Sequence, residues 1–140
     1  MTEDPFAPDR SAQKREARER AIELLYEAEV RGVSIRDVLS NQVIAPAQLV
    51  KDLVIGISED IERIDAEIDA YLHDGWSLDR LGMLDLWILR IGIYELLLEE
   101  LPIAVVINEA VELGNIFGAT EDSGRFINGI LGSAAREMGS

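Results

Sequence analysis

The residues whose types and spacing carry the most chemistry lie near the start of the chain. Residues 10–20 hold Arg10, Lys14, Arg15, Arg18 and Arg20 against Glu16 and Glu19, a local +3 within a chain of formal net charge −14, which leaves −17 for the rest. At about 100° per residue, Lys14, Arg15 and Arg18 fall within a roughly 100° arc of a helix, and Tyr26 lies three turns on, about 20° from the direction of Arg15. Basic side chains beside an aromatic suit a phosphate backbone and a stacked base. They equally suit a solvated helix face with i,i+4 pairs such as Arg15–Glu19, and on composition alone that is the commoner use.

Other constellations are weaker. Asp122 and Ser123 precede a helical pattern carrying Arg125 and Phe126. A helix start with a basic and an aromatic residue can receive a nucleotide, but an ordinary cap with Phe126 in the core explains the pattern more simply. Asp79, Arg80 and Asp85 flank the apolar run Leu81–Trp87. They fit either the charged rim of a bundle core or an acid-edged groove for a basic protein. His73 is the only histidine, so it has no second imidazole to share a metal with. Glu109 and Glu112 share a face but lack the Glu-x-x-His companions of a carboxylate metal site, and an early Glu109 suits the helix dipole. No phosphate-binding glycine pattern and no nucleophile–histidine–acid setting is present, so neither an enzymatic activity nor a cofactor is expected.

The elements that must position these residues read as helices throughout. Residues 1–9, with Pro5 and Pro8, read as a loose tail, and residues 10–140 as one domain. Ala17, Ala21, Leu24, Leu25 and Ala28 recur at threes and fours up to Gly32, and Ser34 is placed to cap a short second helix. Pro46 suits the first turn of a long third helix that runs to Tyr71–Leu72 on the stripe Leu49, Leu53, Val54, Ile57, Ile61, Ile64 and Ile68. Asp74–Gly75 marks a turn, and Ser77 caps a short helix to Leu81. Leu84–Glu100 is apolar nearly all round, as befits a central helix or one covered by a partner. Pro102 opens the next helix, which ends at Gly118. Asp122 or Ser123 caps the last, where Gly129 and Gly132 suggest close helix packing. The fold class is all-α, with about six or seven helices packed as small bundles.

Composition narrows the function classes. The 140 residues are 48% hydrophobic and 29% charged, which excludes a disordered chain. The absence of cysteine excludes disulfides, thiolate metal sites and thiol nucleophiles. No apolar export segment or spanning run is seen, so a cytoplasmic setting is expected. The acidic balance argues against non-specific coating of nucleic acid: any RNA contact must be local.

Longer patterns are more specific. The segment 101–113, LPIAVVINEAVEL, is followed by Phe117-Gly118, Asp122-Ser123 and the run Phe126-Ile127-Asn128-Gly129-Ile130-Leu131. Together with Ile88–Leu96 and with Arg15-Glu16-Ala17-Arg18 leading to Leu25-Tyr26, it resembles the NusB family of transcription antitermination factors over about residues 10–136. The resemblance implies two helical sub-bundles and no enzymatic activity. It implies binding of the boxA element of nascent ribosomal RNA together with NusE, a small-subunit ribosomal protein, and entry into the RNA polymerase antitermination complex. By matching position, Arg10, Lys14, Arg15 and Arg18 grip the RNA backbone, and Tyr26, Tyr71, Asp122 and Phe126 lie along the RNA face. Asp79 and Asp85 face NusE.

The chain departs from the pattern at Gly114-Asn115, where many members have Ala-Lys, and Gly124 removes a side chain beside the expected RNA face. Its charge leads us to expect poor boxA binding by the isolated chain, with a basic NusE supplying the missing field. Removing Arg15 and Arg18 together is expected to weaken RNA binding with the fold intact, and Asp85→Lys to weaken NusE binding with the helicity unchanged. The alternative is a homodimeric helical interaction module with weak or no RNA binding, using the 84–98 helix and Trp76. The same fold also serves as the N-terminal domain of ribosomal-RNA methyltransferases, but 140 residues leave no room for a methyl-transfer domain.

Overall fold

Local signals set most of the helix ends. The computed structural model describes residues 10–139, so the expected tail at 1–9 lies outside the described residues. The first helix, α1, spans Arg10–Arg31 and buries Ala17, Arg18, Ala21, Ile22, Leu24, Leu25 and Ala28. Gly32 stops it in a left-handed conformation, φ 67°. There the N–H of Gly32 bonds the carbonyl of Glu29 and the N–H of Val33 that of Ala28. These paired bonds satisfy carbonyls that the helix end leaves over. Ser34 caps α2 (Ile35–Ser40) by accepting from the Asp37 N–H.

The expected third helix is two. α3 spans Gln48–Glu59 and α4 spans Ile61–Ala70, broken at Asp60 with φ −117° and ψ 20°. No glycine or proline sits at the break. The Ser58 hydroxyl donates back to the Val54 carbonyl at 2.8 Å, a bond that competes with the helix ladder and bends it. Pro46 lies before the helix, with Ala47 at the cap position. Leu49, expected on the buried stripe, is 40% exposed, and Val50 is buried instead.

Ser77 precedes a single 3-10 turn, Leu78–Arg80, and its hydroxyl bonds the Asp79 carboxylate instead of capping. α5 (Met83–Leu98) buries nine residues and packs against α1, α3, α4, α6 and α7. It is the central helix, covered by its own chain along most of its length, with Met83 and Leu98 exposed at its two ends. α6 (Ile103–Phe117) ends at Gly118 as expected, and α7 spans Ser123–Met138. Neither Asp122 nor Ser123 makes the side-chain cap bond: Asp122 holds the cap position without one, and Ser123 is already helical.

The helices α1, α2 and α3 pack together at one end, and α4, α6 and α7 gather on the rest of α5. Close approach of α7 is made by glycines other than those expected. A Cβ on Gly92 would meet Leu131 Cδ1 at 2.6 Å, and one on Gly114 would meet Ile127 Cδ1 at 2.7 Å and the Gly124 backbone at 3.2 Å. Gly129 has open space and Gly132 meets only the tip of Arg136. Among the described residues there is no strand, and no helix is long and apolar enough to cross a membrane.

Candidate nucleic-acid interface

The basic arc of α1 does not face solvent as a unit. Arg10 is exposed at the first turn, and Lys14 is half-buried at the edge of a cleft of about 210 Å³ that it shares with Arg18, Tyr94 and Glu95. The Arg15 side chain is 56% exposed, with Nε and Nη2 donating to the two carboxylate oxygens of Glu109 at 3.1 and 2.9 Å. Arg18 lies inside: 3% exposed, it donates from Nε and Nη2 to Glu95 at 2.6 and 2.8 Å, and its Nη1 is 3.6 Å from Glu109.

Arg18, expected to grip RNA, is thus placed away from solvent. Helical phase puts Arg18 in the same arc as Arg15, but the arc is wide, and Arg18 lies on the side that packs against α5. A guanidinium packed there is a structural ion, oriented by Glu95. Burial opposes the Arg18 charge, and the hydrogen bonds and field of Glu95, then the field of Glu109, outweigh it and hold the pKa above its ordinary value. The Glu109 carboxylate is held below its ordinary value, first by the hydrogen bonds from Arg15. In turn those bonds raise Arg15.

The aromatic residues divide similarly. Tyr26 is 41% exposed on the outer side of α1. Phe126 is half-buried in the first turn of α7, its ring 6.4 Å from Trp76 at a tilt of 38°. Trp76 is 53% exposed. It is held by a turn in which its N–H bonds His73, Gly75 has φ 88° and Arg80 Nη1 bonds the Gly75 carbonyl. Tyr71 is half-buried, and its phenol is pushed up, first by desolvation and then by the carboxylates of Glu67 and Glu137. Two acids make that a poor place for a phosphate, though a stacked base can still use the ring.

Of the two aspartates expected at a protein partner, Asp79 is exposed within the 3-10 turn, its carboxyl held below the ordinary value first by the Ser77 hydroxyl. Asp85 is corrected. It is 8% exposed, and its carboxylate accepts from the Ala119 N–H and the Ser123 hydroxyl, both at 3.1 Å. It secures the α6–α7 turn that carries Asp122, which is itself exposed. Asp85 thus positions the start of α7 from within.

These placements bring an exposed Arg10 and Arg15, the edge residue Lys14, and an aromatic pair at the start of α7 onto one small helical scaffold. A model of the NusB family matches residues 15–136. The chain belongs to the NusB family. It is 39% identical to the transcription antitermination protein NusB of Thermoanaerobacter sp. (strain X514), over 89% of this chain and 91% of that protein. Among solved structures, it is similar to T. maritima NusB with a TM-score of 0.78 and 36% identity, covering 89% of this chain and 91% of that one. It is also similar to a chain in the crystal structure of antitermination factors NusB and NusE in complex with dsRNA, with a TM-score of 0.73, 30% identity, and 89% and 96% coverage. Membership fits the all-α class and the long C-terminal pattern.

Sequence reasoning missed two residues of the site. Glu95 and Glu109 hold the arginines of α1 from 77 and 94 positions away. Helical phase carries no signal of a partner on another helix. Glu109 reads as a dipole carboxylate, yet it is the counter-ion of α1. Among the described residues no group of three or more acidic or histidine side chains is placed to hold a metal.

Proposed function

We propose that this protein is a transcription antitermination factor that binds the boxA element of a nascent RNA leader together with a NusE-type ribosomal protein and joins the RNA polymerase antitermination complex. One observation carries the reading: near-complete coverage of, and 30% identity with, a chain solved with NusE and dsRNA. Arg10, Lys14 and Arg15 supply the phosphate contacts, with Tyr26 beyond them on α1. Phe126, backed by Trp76, offers a base-stacking edge at the start of α7, beside Asp122, and Tyr71 lies at the end of α4, near Glu137 in the last turn of α7. Asp79 on its turn suits a basic partner. The work is recognition, with no catalytic step, and its setting is the cytoplasm beside the polymerase.

The net charge of −14 repels RNA at long range, so the partner's positive field strengthens the complex. The test is fluorescence anisotropy of labelled boxA RNA, with and without the cognate NusE, over a salt series and beside a scrambled sequence. Selective binding that tightens with NusE is expected. Three phosphate contacts from this chain give it a logarithmic salt slope of about −2, at roughly 0.7 per contact for single strands. Absence of selective binding in both conditions, with the protein folded, refutes the reading.

A further inference from the structure

The Arg15 side chain is the exposed one of the two arginines that α6 reaches, and its best edge is already in use. Its Nε and Nη2 make two parallel bonds to the Glu109 carboxylate, at 3.1 and 2.9 Å. That paired geometry is the one a guanidinium offers a phosphate. The two partners differ in freedom. The Glu109 side chain is only 16% exposed, on a helix that packs against α5 and α7, while the Arg15 side chain is 56% exposed at the surface of α1. Arg15 can therefore swing away while Glu109 stays. Glu109 is not left bare when it does, because Arg18 Nη1 lies 3.6 Å from it. Arg18 is held in place by Glu95 whether or not Arg15 moves.

We propose that Glu109 is a built-in competitor of RNA: it occupies the phosphate-binding edge of Arg15, and RNA binds by exchanging that carboxylate for a phosphate on the same guanidinium. The proposal rests on the RNA-binding reading above and adds an element that limits affinity. Arg18 lowers the cost of the exchange, since its Nη1 lies 3.6 Å from Glu109 and partly offsets that charge when Arg15 leaves. The carboxylate also selects the ligand: a lone weak anion does not displace two bonds, whereas a phosphate held in place by neighbouring RNA contacts does.

The test uses the full chain with NusE and boxA RNA. Glu109→Gln removes the competing charge and is expected to tighten binding about two- to fivefold, the range of an ion pair open to water. Glu112→Gln removes the same charge one turn along α6, without the contact, and tightens binding less. In an Arg15→Ala background, Glu109→Gln brings no gain. Glu109→Asp keeps the charge beside Arg18 but shortens the reach to Arg15, and also tightens binding, so the result does not hang on one variant's folding. Unchanged or weaker binding by Glu109→Gln and Glu109→Asp overturns the proposal, as does a gain that survives Arg15→Ala. A wild-type chain that binds no RNA refutes the RNA reading instead. The exchange is then read from the Arg15 Nε–H resonance during titration with inorganic phosphate. A shift at lower phosphate in Glu109→Gln supports it, and equal titrations overturn it.

Discussion

Replacing Arg18 by alanine separates a buried arginine from the exposed one three positions before it. The Arg18 side chain is 4% exposed and that of Glu95 13%, and the two share a pair of bonds at 2.6 and 2.8 Å. Removing one partner of a buried pair costs about 3–5 kcal/mol, because the other charge stays behind without compensation. Glu95 retains some contact with water, which places the loss near the lower end, about 3 kcal/mol. Domains of this size have roughly 5–15 kcal/mol in all, so the loss is large, and it corresponds to a fall in Tm of roughly 10 °C. Urea unfolding followed by far-ultraviolet circular dichroism measures it. Arg15→Ala serves as the comparison: its side chain is mostly in water, and its unfolding midpoint is expected to stay near wild type. The double variant Arg18→Met/Glu95→Leu replaces both charges by apolar groups of similar size and is expected to regain most of the stability. If Arg18→Ala unfolds with Arg15→Ala, or if the double variant is as unstable as the single, the ion pair is not what holds α1 to α5. The joint removal of Arg15 and Arg18 is therefore no clean test of RNA binding, since half of it weakens the fold.

Three further substitutions probe the scaffold under the candidate interface. Gly114→Ala places a Cβ against Ile127 and the Gly124 backbone and is expected to cost about 1–3 kcal/mol in thermal unfolding, whereas Gly129→Ala, with open space around it, gains up to about 1 kcal/mol. Equal effects of the two would show that the α6–α7 crossing is not tight at Gly114. Asp85→Ala leaves the Ala119 N–H and the Ser123 hydroxyl without their acceptor and is expected to destabilise the α6–α7 turn by about 1–3 kcal/mol, with faster amide exchange at Ala119. Unchanged exchange there would return Asp85 to the surface role that the resemblance implies.

Periodicity identified the helices because it depends on neighbours within a few residues. The threes and fours of α1, Gly32, Ser34, Pro102 and Gly118 all act locally, and all lie at or within one residue of the ends they mark. The break at Asp60 was not legible. The Ile stripe continues through it in phase, and the bond from Ser58 to Val54 is only one of the uses a serine in a helix can have. Gly114 and Gly124 look like weak points in their helices until α6 and α7 cross there.

An all-α chain, its family, a basic first helix and the long C-terminal pattern are all written in residue type and short-range spacing, and so were legible before any packing was known. Only the tertiary structure decided which of the basic residues are available. Arg15 and Arg18 are three positions apart, with the same charge and helical directions only about 60° apart. One meets solvent and Glu109, and the other meets Glu95 under α5. The same holds for Asp79 and Asp85, one beside an open turn and the other closing the loop before α7. Burial and ion pairing are set by what packs across from a residue, and that partner comes from distant parts of the chain.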